Sequence, residues 1–388
     1  MKGVNPVSEV RDAVARELLP WFVQHQRNLP WRKRRTPYRV WLAELMLHQT
    51  RVDQVVPYYR RFLQRFPSVR QLAAASLDEV LKQWEGLGYY ARARNAHRTA
   101  QYLCQHRGGR FPRTYKELLQ LPGIGPYTAA AIASLAFNLD YAVLDGNVIR
   151  VLARLTAYRE DVRRPSARQH LQTIADQLLL PGQAAACNEA WMELGALTCT
   201  PRNPQCPSCP LHCVCKAYRS GQAAAFPRRA RRQPVPHKVV GAAIVMNRRG
   251  EVLVAQRRTT SMLGGLWEFP GGTQEPEETM ATCVAREWKE ELGVTLTVGP
   301  RLLFIHHAYS HFTIELHVHA ARIRAGRPRT LECADYCWLP VPRLRERPFS
   351  KADLHIISFL EKAAFTPRAW QQLCRKRTTD LNNKRSSY

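Results

Sequence analysis

The spacing of apolar residues divides the chain near residue 218. Before that point, apolar side chains recur every three to four positions, as at Leu118, Leu121 and Ala129, which is the period of a helix with one buried face. Alternation of apolar and polar residues, which is typical of strands, is nearly absent. Residues 1–218 are therefore predicted to form an all-α domain.

From Val239 onward the period changes to two, which predicts strands. Strand-like runs include Glu251–Ala255 and Phe312–Val318, and a helical pattern interrupts them at about residues 278–292. Residues 239–365 are therefore predicted to form a separate α+β domain.

Two further segments are predicted to lie outside these domains. Residues 219–238 contain the run Phe226–Pro236, which has three prolines, four arginines and no acid. This composition indicates an extended linker, which is either only solvated or lies along phosphate groups. Residues 366–388 carry clustered basic residues and are predicted to form a disordered tail.

The charge balance narrows the choice of partner. Lys and Arg number 58 against 31 Asp and Glu, so the formal net charge is +27. A protein this basic typically binds a polyanion such as nucleic acid, although a soluble basic protein without such a partner is the alternative. No run of 18 apolar residues and no apolar signal segment occur, which predicts an intracellular protein with no membrane contact.

A cluster of cysteines predicts a metal site. In a reducing compartment, clustered cysteines favour metal ligation over disulfides. The spacing C-x6-C-x2-C-x5-C is formed by Cys199, Cys206, Cys209 and Cys215. Both zinc and an iron–sulfur cluster accept four sulfur ligands, so the spacing leaves the metal open. Cys213 in the same loop is either a competing ligand or a spectator.

Two acids stand out in the helical half. Glu44 lies on the apolar side of a predicted helix, where burial raises the pKa of a carboxyl group and suits it to donate a proton. Its alternative role is a buried acid paired with an arginine. Asp145 precedes a helical run that starts at Ile149, so it is either a helix cap or a second functional acid.

A short turn between helices, Leu121-Pro-Gly-Ile-Gly125, is similar to a helix-hairpin-helix. Gly123 and Gly125 would leave backbone N–H groups at a helix start open to a phosphate group. Both glycines are therefore predicted to contact the DNA backbone, and an ordinary turn between helices is the alternative.

The order of these motifs resembles that of the MutY adenine DNA glycosylases of the helix-hairpin-helix superfamily. The matching segments are Leu29–Arg32, Glu44–Arg51, Gly86–Tyr90, Leu121–Tyr127, Leu144–Asn147 and the four cysteines. The resemblance covers about residues 11–365. It implies that the cysteines hold a [4Fe–4S] cluster. It also implies a monomer that removes adenine paired with 8-oxoguanine or guanine in double-stranded DNA.

The resemblance also assigns roles in the helical half. Glu44 would protonate adenine N7, and Asp145 would stabilise the positive charge that forms on the sugar. Tyr127 and Asn147 would support the sugar and the attacking water. Related strand-cleaving enzymes have a nucleophilic lysine where this chain has Tyr127, so a monofunctional glycosylase is expected. Trp31, Arg32 and Glu189 would line the adenine pocket, while Gln49 and Tyr89 would wedge into the duplex.

The second half contains an intact box that resembles the Nudix motif. It reads Gly272-x5-Glu278-x7-Arg286-Glu287-Trp288-x-Glu290-Glu291-x-Gly293. Helical spacing places Glu287, Glu290 and Glu291 on one face, where three carboxylates favour Mg²⁺ and a diphosphate. In MutY proteins this box is generally eroded, so the alternative is an inherited fold whose acids only face solvent.

The loop His307–Phe312 matches the position of the loop that reads 8-oxoguanine in the MutY family. The resemblance implies that Ser310 bonds the N7–H or O8 of 8-oxoguanine. Tyr309 and His311 would support this loop.

The primary hypothesis is a monofunctional adenine DNA glycosylase of base excision repair. Its fold would be an all-α helix-hairpin-helix domain with an iron–sulfur cluster loop, followed by an α+β Nudix-like domain. One alternative is a bifunctional fusion whose Nudix box also hydrolyses nucleoside triphosphates, including oxidised ones. Another is a non-catalytic DNA-binding iron–sulfur protein. The expected location is the cytoplasm, with the nucleoid, in a bacterium and the nucleus in a eukaryote.

Overall fold

The computed structural model describes residues 6–230, 235–309 and 312–375. The chain forms two compact units, the first from residues 1–74 and 95–232 and the second from residues 75–94 and 233–388. The prediction of an all-α half followed by an α+β half is confirmed, because the first strand begins only at His237.

The α-helices follow one another in chain order as α1 (Pro6–Ala13), α2 (Leu19–His25), α3 (Pro30–Lys33), α4 (Pro37–Leu47), α5 (Val52–Arg65), α6 (Val69–Ala74), α7 (Leu77–Trp84), α8 (Ala91–Arg107), α9 (Tyr115–Leu118), α10 (Pro126–Ala131), α11 (Gly146–Leu155), α12 (Pro165–Leu178), α13 (Ala184–Leu197), α14 (Lys216–Arg219), α15 (Met280–Leu292), α16 (Lys351–Ala363) and α17 (Pro367–Leu373). Short π-helical turns cover Val14–Leu18 and Ile132–Ala136, and 3₁₀ turns cover His212–Val214, Ala223–Ala225 and Val341–Glu346. The strands are β1 (His237–Val245), β2 (Glu251–Gln256), β3 (Trp267–Glu268), β4 (Gly271–Thr273), β5 (Thr295–Ala308), β6 (Thr313–Ala325) and β7 (Asp335–Pro340).

The first unit is built around two buried helices that carry the predicted acids. Thr36 caps α4 by accepting the backbone N–H of Arg39 (3.3 Å), and Pro37 occupies the first helical position, where its missing N–H costs no hydrogen bond. Eight residues of α4 are buried, and Glu44 is the charged one among them. α11 and α13 pack on each other with α1, α2 and α12 in one continuous apolar core.

The second unit contains two β-sheets with helices packed against them. Strand order is β4-β1-β6-β5 in the larger sheet and β3-β2-β7 in the smaller. β1 and β6 are parallel, and the other neighbouring pairs are antiparallel. α15 buries Trp288 against one core. α16 and α17 cover a second core that contains Trp370.

Two segments depart from the predicted domain boundaries. Residues 75–94 group with the second unit, although their helical pattern placed them in the first domain. The linker predicted from residue 219 is wrong at its start, because the apolar ring of Phe226 is buried and the carbonyl of Arg228 accepts the N–H of Val162 (3.2 Å). Residues 231–234 of that linker lie outside the described part.

The predicted disordered tail is also wrong at its start. Thr366 caps α17 by accepting the N–H of Ala369 (3.2 Å), and Trp370 in that helix is fully buried. The indole packs into the core of the second unit together with Leu373 and Cys374, and this apolar contact holds α17 in place. Residues 376–388 lie outside the described residues. Of the helices described, none has both the length and the apolar character needed to cross a membrane.

Candidate active site

A cleft in the first unit brings together most of the residues predicted to act on adenine. Its walls are formed by residues of α3, α4, α10 and α13 and by the start of α11. The predicted residues that line it are Trp31, Arg32, Glu44, Gln49, Tyr127, Asp145, Asn147 and Glu189.

Glu44 is a buried acid held by a tyrosine. Its side chain projects from α4 and the residue is 4% exposed. The hydroxyl of Tyr127 donates a hydrogen bond to Glu44 Oε2 (2.6 Å). Burial raises the pKa of Glu44 to about 7, the Tyr127 bond opposes this, and the charge of Asp145 adds to it. Glu44 can therefore hold a proton near neutral pH and release it to a base in the cleft.

Asp145 is both the cap of α11 and a lining residue of the cleft. Its Oδ1 accepts the backbone N–H of Val148 (2.7 Å), and its Oδ2 accepts the amide of Asn147 (2.8 Å). Burial raises the pKa of Asp145, while the bonds from Val148 and Asn147 act in the opposite direction by favouring the ionised form. The alternative role of a helix cap is therefore correct, and it leaves the carboxylate beside the cleft.

A network of acids and arginines forms one wall of the cleft. Glu189 contacts Arg35 Nη2 through its Oε2 (2.5 Å) and Arg32 Nε through its Oε1 (3.5 Å). Arg32 Nη2 also donates to Glu193 Oε2 (2.9 Å), and the backbone N–H of Arg27 donates to Glu193 Oε1 (2.7 Å). Burial alone would raise the pKa of Glu193, but the bonds from Arg27 and Arg32 lower it to about 2.

Sequence reasoning missed Glu193, although one signal for it was present. Glu193 follows Glu189 by four positions on α13, so the two carboxylates share a helix face. Both carboxylates form ion pairs with Arg32.

Arg150 was also missed, and it connects the cleft to the cysteine loop. Its Nη2 donates to Asn147 Oδ1 (2.8 Å) and to the carbonyl of Gly195 (2.6 Å). Its Nε donates to the carbonyl of Cys199 (2.7 Å). Arg150 therefore fixes the Asn147 amide that bonds Asp145.

The four predicted metal-binding cysteines surround one cavity. Cys199, Cys206, Cys209 and Cys215 line the same cavity. Arg154 Nη1 donates to Cys199 Sγ (3.2 Å), and burial raises the pKa of Cys209 to about 12.

Two further observations bear on metal binding. The exposed Cys213 lies apart from the cysteine cavity, with its Sγ 3.1 Å from His212 Nε2. Among the described residues, no three side chains of His, Cys, Asp or Glu are arranged so that they could hold a metal ion.

The two predicted wedge residues belong to different units. Gln49 lines the cleft of the first unit, whereas Tyr89 lies in the second unit. Both have positive backbone φ angles, 58° for Gln49 and 50° for Tyr89, a conformation that non-glycine residues seldom adopt.

The hairpin glycines differ in their local environment. Gly123 has a φ of +72°, and a Cβ there would lie 2.7 Å from Asn95 Cβ, so the turn itself requires glycine. Gly125 is the N-cap residue of α10, and a Cβ there would meet nothing within 4 Å. Contact of both glycines with the DNA backbone stays a prediction.

In the second unit, the acids of the box are partly paired. Arg286 contacts Glu278 Oε1 (3.0 Å), Glu287 Oε1 (2.9 Å) and Glu290 Oε2 (3.0 Å).

In the predicted lesion-reading loop, the ring of Tyr309 stacks on Phe312 at 4.8 Å. Ser310 and His311 lie outside the described residues.

Comparison with known proteins identifies the family. A model described as "HhH-GPD superfamily base excision DNA repair protein" matches residues 42–177, and one described as "NUDIX domain" matches residues 241–358. An adenine DNA glycosylase of Rattus norvegicus is 35% identical over 401 residues, covering 89% of this chain and 78% of the rat protein. An adenine DNA glycosylase of Buchnera aphidicola is 35% identical over 254 residues, covering 65% of this chain and 72% of its own.

The helical half also matches a solved structure. The structure of a thermostable thymine-DNA glycosylase aligns with a TM-score of 0.51 and 27% identity, covering 56% of this chain and 100% of the other. The long match to the rat protein decides the assignment, because it extends through both units. This chain belongs to the adenine DNA glycosylases, which are enzymes of base excision repair.

Proposed function

We propose that this adenine DNA glycosylase excises adenine paired with 8-oxoguanine or guanine, acting as a monomer on double-stranded DNA. Glu44 is the proton donor and Asp145 stabilises the sugar cation. The observation that carries the proposal is the hydrogen bond from Tyr127 to the buried Glu44 in a cleft that Asp145 also lines. Because two carboxyl groups with different hydrogen-bond partners can differ in pKa, one can donate a proton while the other stays ionised and stabilises a cation.

The reaction begins with adenine outside the duplex stack, because a buried acid such as Glu44 cannot reach the edge of a stacked base. The Glu44 carboxyl donates its proton to adenine N7. The bond between N9 and C1′ then breaks, its electron pair stays with the base, and neutral adenine leaves. Asp145 stabilises the positive charge on the sugar. Water then adds to C1′, and its proton passes to solvent.

The neighbouring residues support this chemistry. Asn147 holds Asp145 Oδ2 (2.8 Å) and, with Tyr127, positions the sugar and the water. Trp31, Arg32 and Glu189 bind the adenine edge, and Gln49 and Tyr89 fill the space that the base leaves in the duplex. The described residues that line the cleft include no lysine, which is consistent with excision without a Schiff base at C1′.

The cysteine loop fits a [4Fe–4S] cluster. Four thiols line one cavity, and such an all-sulfur set suits an iron–sulfur cluster as well as zinc; membership in the adenine DNA glycosylases favours the cluster. Burial raises the pKa of Cys206, Cys209 and Cys215, and a bound metal group would favour the ionised thiolates. When bound, the cluster supplies structural cross-linking of residues 199–215 and a redox-active centre.

Two surfaces provide DNA binding. Gly123 and Gly125 contact the backbone through the N–H groups at the start of α10, and the net charge of +27 attracts the duplex. The loop of Tyr309, Ser310 and His311 reads 8-oxoguanine, so it sets specificity and takes no part in proton transfer.

The experiment that tests the proposal is single-turnover excision from a duplex with one adenine opposite 8-oxoguanine. Glu44→Gln and Asp145→Asn are each expected to lower the rate by about 10²–10⁴-fold, because each removes one acid–base or electrostatic contribution. Asp53→Asn is the matched control, since this exposed acid also lines the cleft. Near-normal rates for both variants would contradict the assignment of roles.

A further inference from the structure

The loop that precedes α8, residues 86–90, carries the predicted wedge residue Tyr89 and is here called the wedge loop. Gly86 and Gly88 have φ angles of 90° and 76°, a region that favours glycine, and they give the loop its tight turn. Arg92 Nη2 donates to the carbonyl of Gly88 (3.0 Å), and its guanidinium lies 5.2 Å from the centre of the Tyr89 ring. The position of the Tyr89 ring therefore follows the backbone of the wedge loop.

Both ends of the wedge loop contact another part of the second unit, residues 347–350, which we call the bridging segment. Glu85, just before the loop, accepts the backbone N–H of Phe349 on its Oε1 (2.9 Å). At the other end, the hydroxyl of Tyr90 accepts the N–H of Gly86 (3.1 Å) and donates to the carbonyl of Phe349 (3.5 Å). A bond to an ionised acceptor such as Glu85 is stronger than a neutral one, so Glu85 provides the main attachment.

The bridging segment is also attached to its surroundings within the second unit. Arg347 Nη1 donates to Asp78 Oδ2 of α7 (2.9 Å), and the carbonyl of Arg347 accepts Lys82 Nζ (3.2 Å). On the sheet side, the backbone N–H of Trp267 donates to the carbonyl of Pro348 (2.8 Å). The bridging segment therefore has fixed neighbours on both sides, and a shift at one of its ends is passed to the other.

The far end of the bridging segment contacts the lesion-reading loop. The hydroxyl of Ser350 forms a hydrogen bond with the hydroxyl of Tyr309, and it donates its own proton to Asp353 Oδ2 (2.6 Å). Ser350 is 4% exposed and Phe349 is fully buried, so water does not compete for these bonds. Because Phe349 and Ser350 are consecutive, two adjacent residues connect the wedge loop to Tyr309.

We propose that Glu85 is a positioning residue that couples the lesion-reading loop, through Tyr309, to Tyr89. The inference rests on the proposed function, in which that loop reads 8-oxoguanine and Tyr89 fills the space left by the adenine. Contact with 8-oxoguanine fixes Tyr309 and the bridging segment, and Glu85 then holds the wedge loop where Tyr89 enters the duplex. Guanine lacks the N7–H and O8 groups of the lesion, so it gives no such bias. Glu85 acts through Tyr89 and takes no part in proton transfer.

The test measures single-turnover excision by the full-length protein from duplexes with adenine opposite 8-oxoguanine and opposite guanine. Glu85→Ala is expected to slow excision opposite 8-oxoguanine about tenfold, because a bond to a charged acceptor is lost, and to leave excision opposite guanine nearly unchanged. Glu85→Gln keeps an oxygen that accepts the N–H of Phe349, so it should restore most of the preference. Glu346→Gln, which changes an exposed acid paired with Arg343 in the same unit, is the control and should match wild type.

A double-mutant cycle tests the connection itself. Tyr309→Phe removes the hydroxyl that bonds Ser350 and keeps the ring that stacks on Phe312. If both variants interrupt one connection, their losses do not add, and the double variant excises opposite 8-oxoguanine about as fast as Glu85→Ala. Additive losses, or a loss in Glu85→Ala that is equal for the two mispairs, would overturn the proposal.

Insertion of the wedge can be observed directly with 2-aminopurine placed beside the mispair, since its fluorescence rises when it loses a stacked neighbour. Wild-type protein is expected to raise this fluorescence more opposite 8-oxoguanine than opposite guanine, and Glu85→Ala should remove the difference. Tyr90→Phe, which loses the second bond to Phe349 and keeps its ring, should reduce the difference in the same direction. An undiminished difference in both variants would contradict the coupling, and thermal melting of each variant reports whether it is folded.

Tyr89→Ala separates this inference from the proposed function. It is expected to slow excision from both mispairs, because both leave a space in the duplex. A normal rate for Tyr89→Ala would refute the wedge role and, with it, the coupling. Slow excision by Tyr89→Ala together with wild-type preference in Glu85→Ala would refute the coupling alone.

Discussion

Replacing Glu44 with glutamine is expected to slow excision by about 10²–10⁴-fold and, at the same time, to stabilise the folded protein at alkaline pH. The pKa of Glu44 in the folded protein is about 7, above its ordinary value of 4.5, because burial disfavours the charge. Between these pH values the native state holds a proton that the unfolded chain releases. Stability therefore falls as the pH rises through this window, and the full penalty is present above pH 7.

The size of this penalty follows from the two pKa values. A rise from 4.5 to about 7 corresponds to about 3 kcal/mol, at 1.36 kcal/mol for each pH unit. Glutamine carries no charge to bury, and its Oε1 can still accept the hydroxyl of Tyr127. Loss of a single neutral hydrogen bond would cost only about 1 kcal/mol, so the electrostatic gain dominates at high pH.

Denaturation at two pH values measures the effect. At pH 8.5 the variant is expected to melt about 6–12 °C above wild type, since 1 kcal/mol shifts the Tm of a domain of this size by about 2–4 °C. At pH 4.5 the difference should nearly vanish, because both proteins are then neutral at this position. Asp53→Asn, which changes an exposed acid of the same cleft, is the control variant. An equal difference at both pH values would refute the explanation by buried charge.

Three other substitutions test the roles of Tyr127, of the cysteine ligands and of Arg150. Tyr127→Phe removes the bond that lowers the pKa of Glu44, so the alkaline limb of the single-turnover rate should move to higher pH; an unmoved limb would show that the bond has no such role. Cys206→Ser should lose iron and visible absorbance on purification while Cys213→Ser retains both, and equal retention would exclude Cys206 as a ligand. Arg150→Met should slow excision about tenfold or more while the affinity for the duplex stays unchanged. A normal rate would show that the hydrogen bonds of Arg150 to Asn147 and to the cysteine loop do not contribute to excision.

The sequence predicts those parts of the site that one short segment encodes. Apolar spacing around Glu44 indicates its burial, and the structure buries it at 4% exposure. Pairings between distant segments were beyond such reasoning. Arg27 and Arg32 reach Glu193 across 166 and 161 positions, and these contacts depend on how α13 packs against the start of the chain. Periodicity indicates which face of a helix is buried, but not which neighbour covers it.

The same limit explains the departures at the domain boundaries. Residues 75–94 have a regular helical pattern, with Ser76 and Glu79 forming a capping box at α7, yet they group with the second unit. The apolar pattern predicts that these residues are helical, but it does not predict which hydrophobic core they pack against. At the far end, a basic composition indicated disorder, whereas Trp370, with Leu373 and Cys374, packs into the core of the second unit. These apolar contacts outweigh the average composition of the segment.

Asp145 shows how a structural and a chemical role can rest on one geometry. A capping residue has an extended backbone just before the helix, and Asp145 has this conformation. One of its carboxylate oxygens accepts the backbone N–H of Val148 (2.7 Å). That bond points the other oxygen to Asn147 (2.8 Å) and fixes the carboxylate beside the cleft. The N–H bonds also favour the ionised form against burial, which a group that stabilises a cation needs. An alanine here would therefore be expected to remove the cap, at about 0.5–2 kcal/mol, together with the charge. Asparagine can keep most of the cap and lose the charge, so the difference between the two variants separates fold from chemistry.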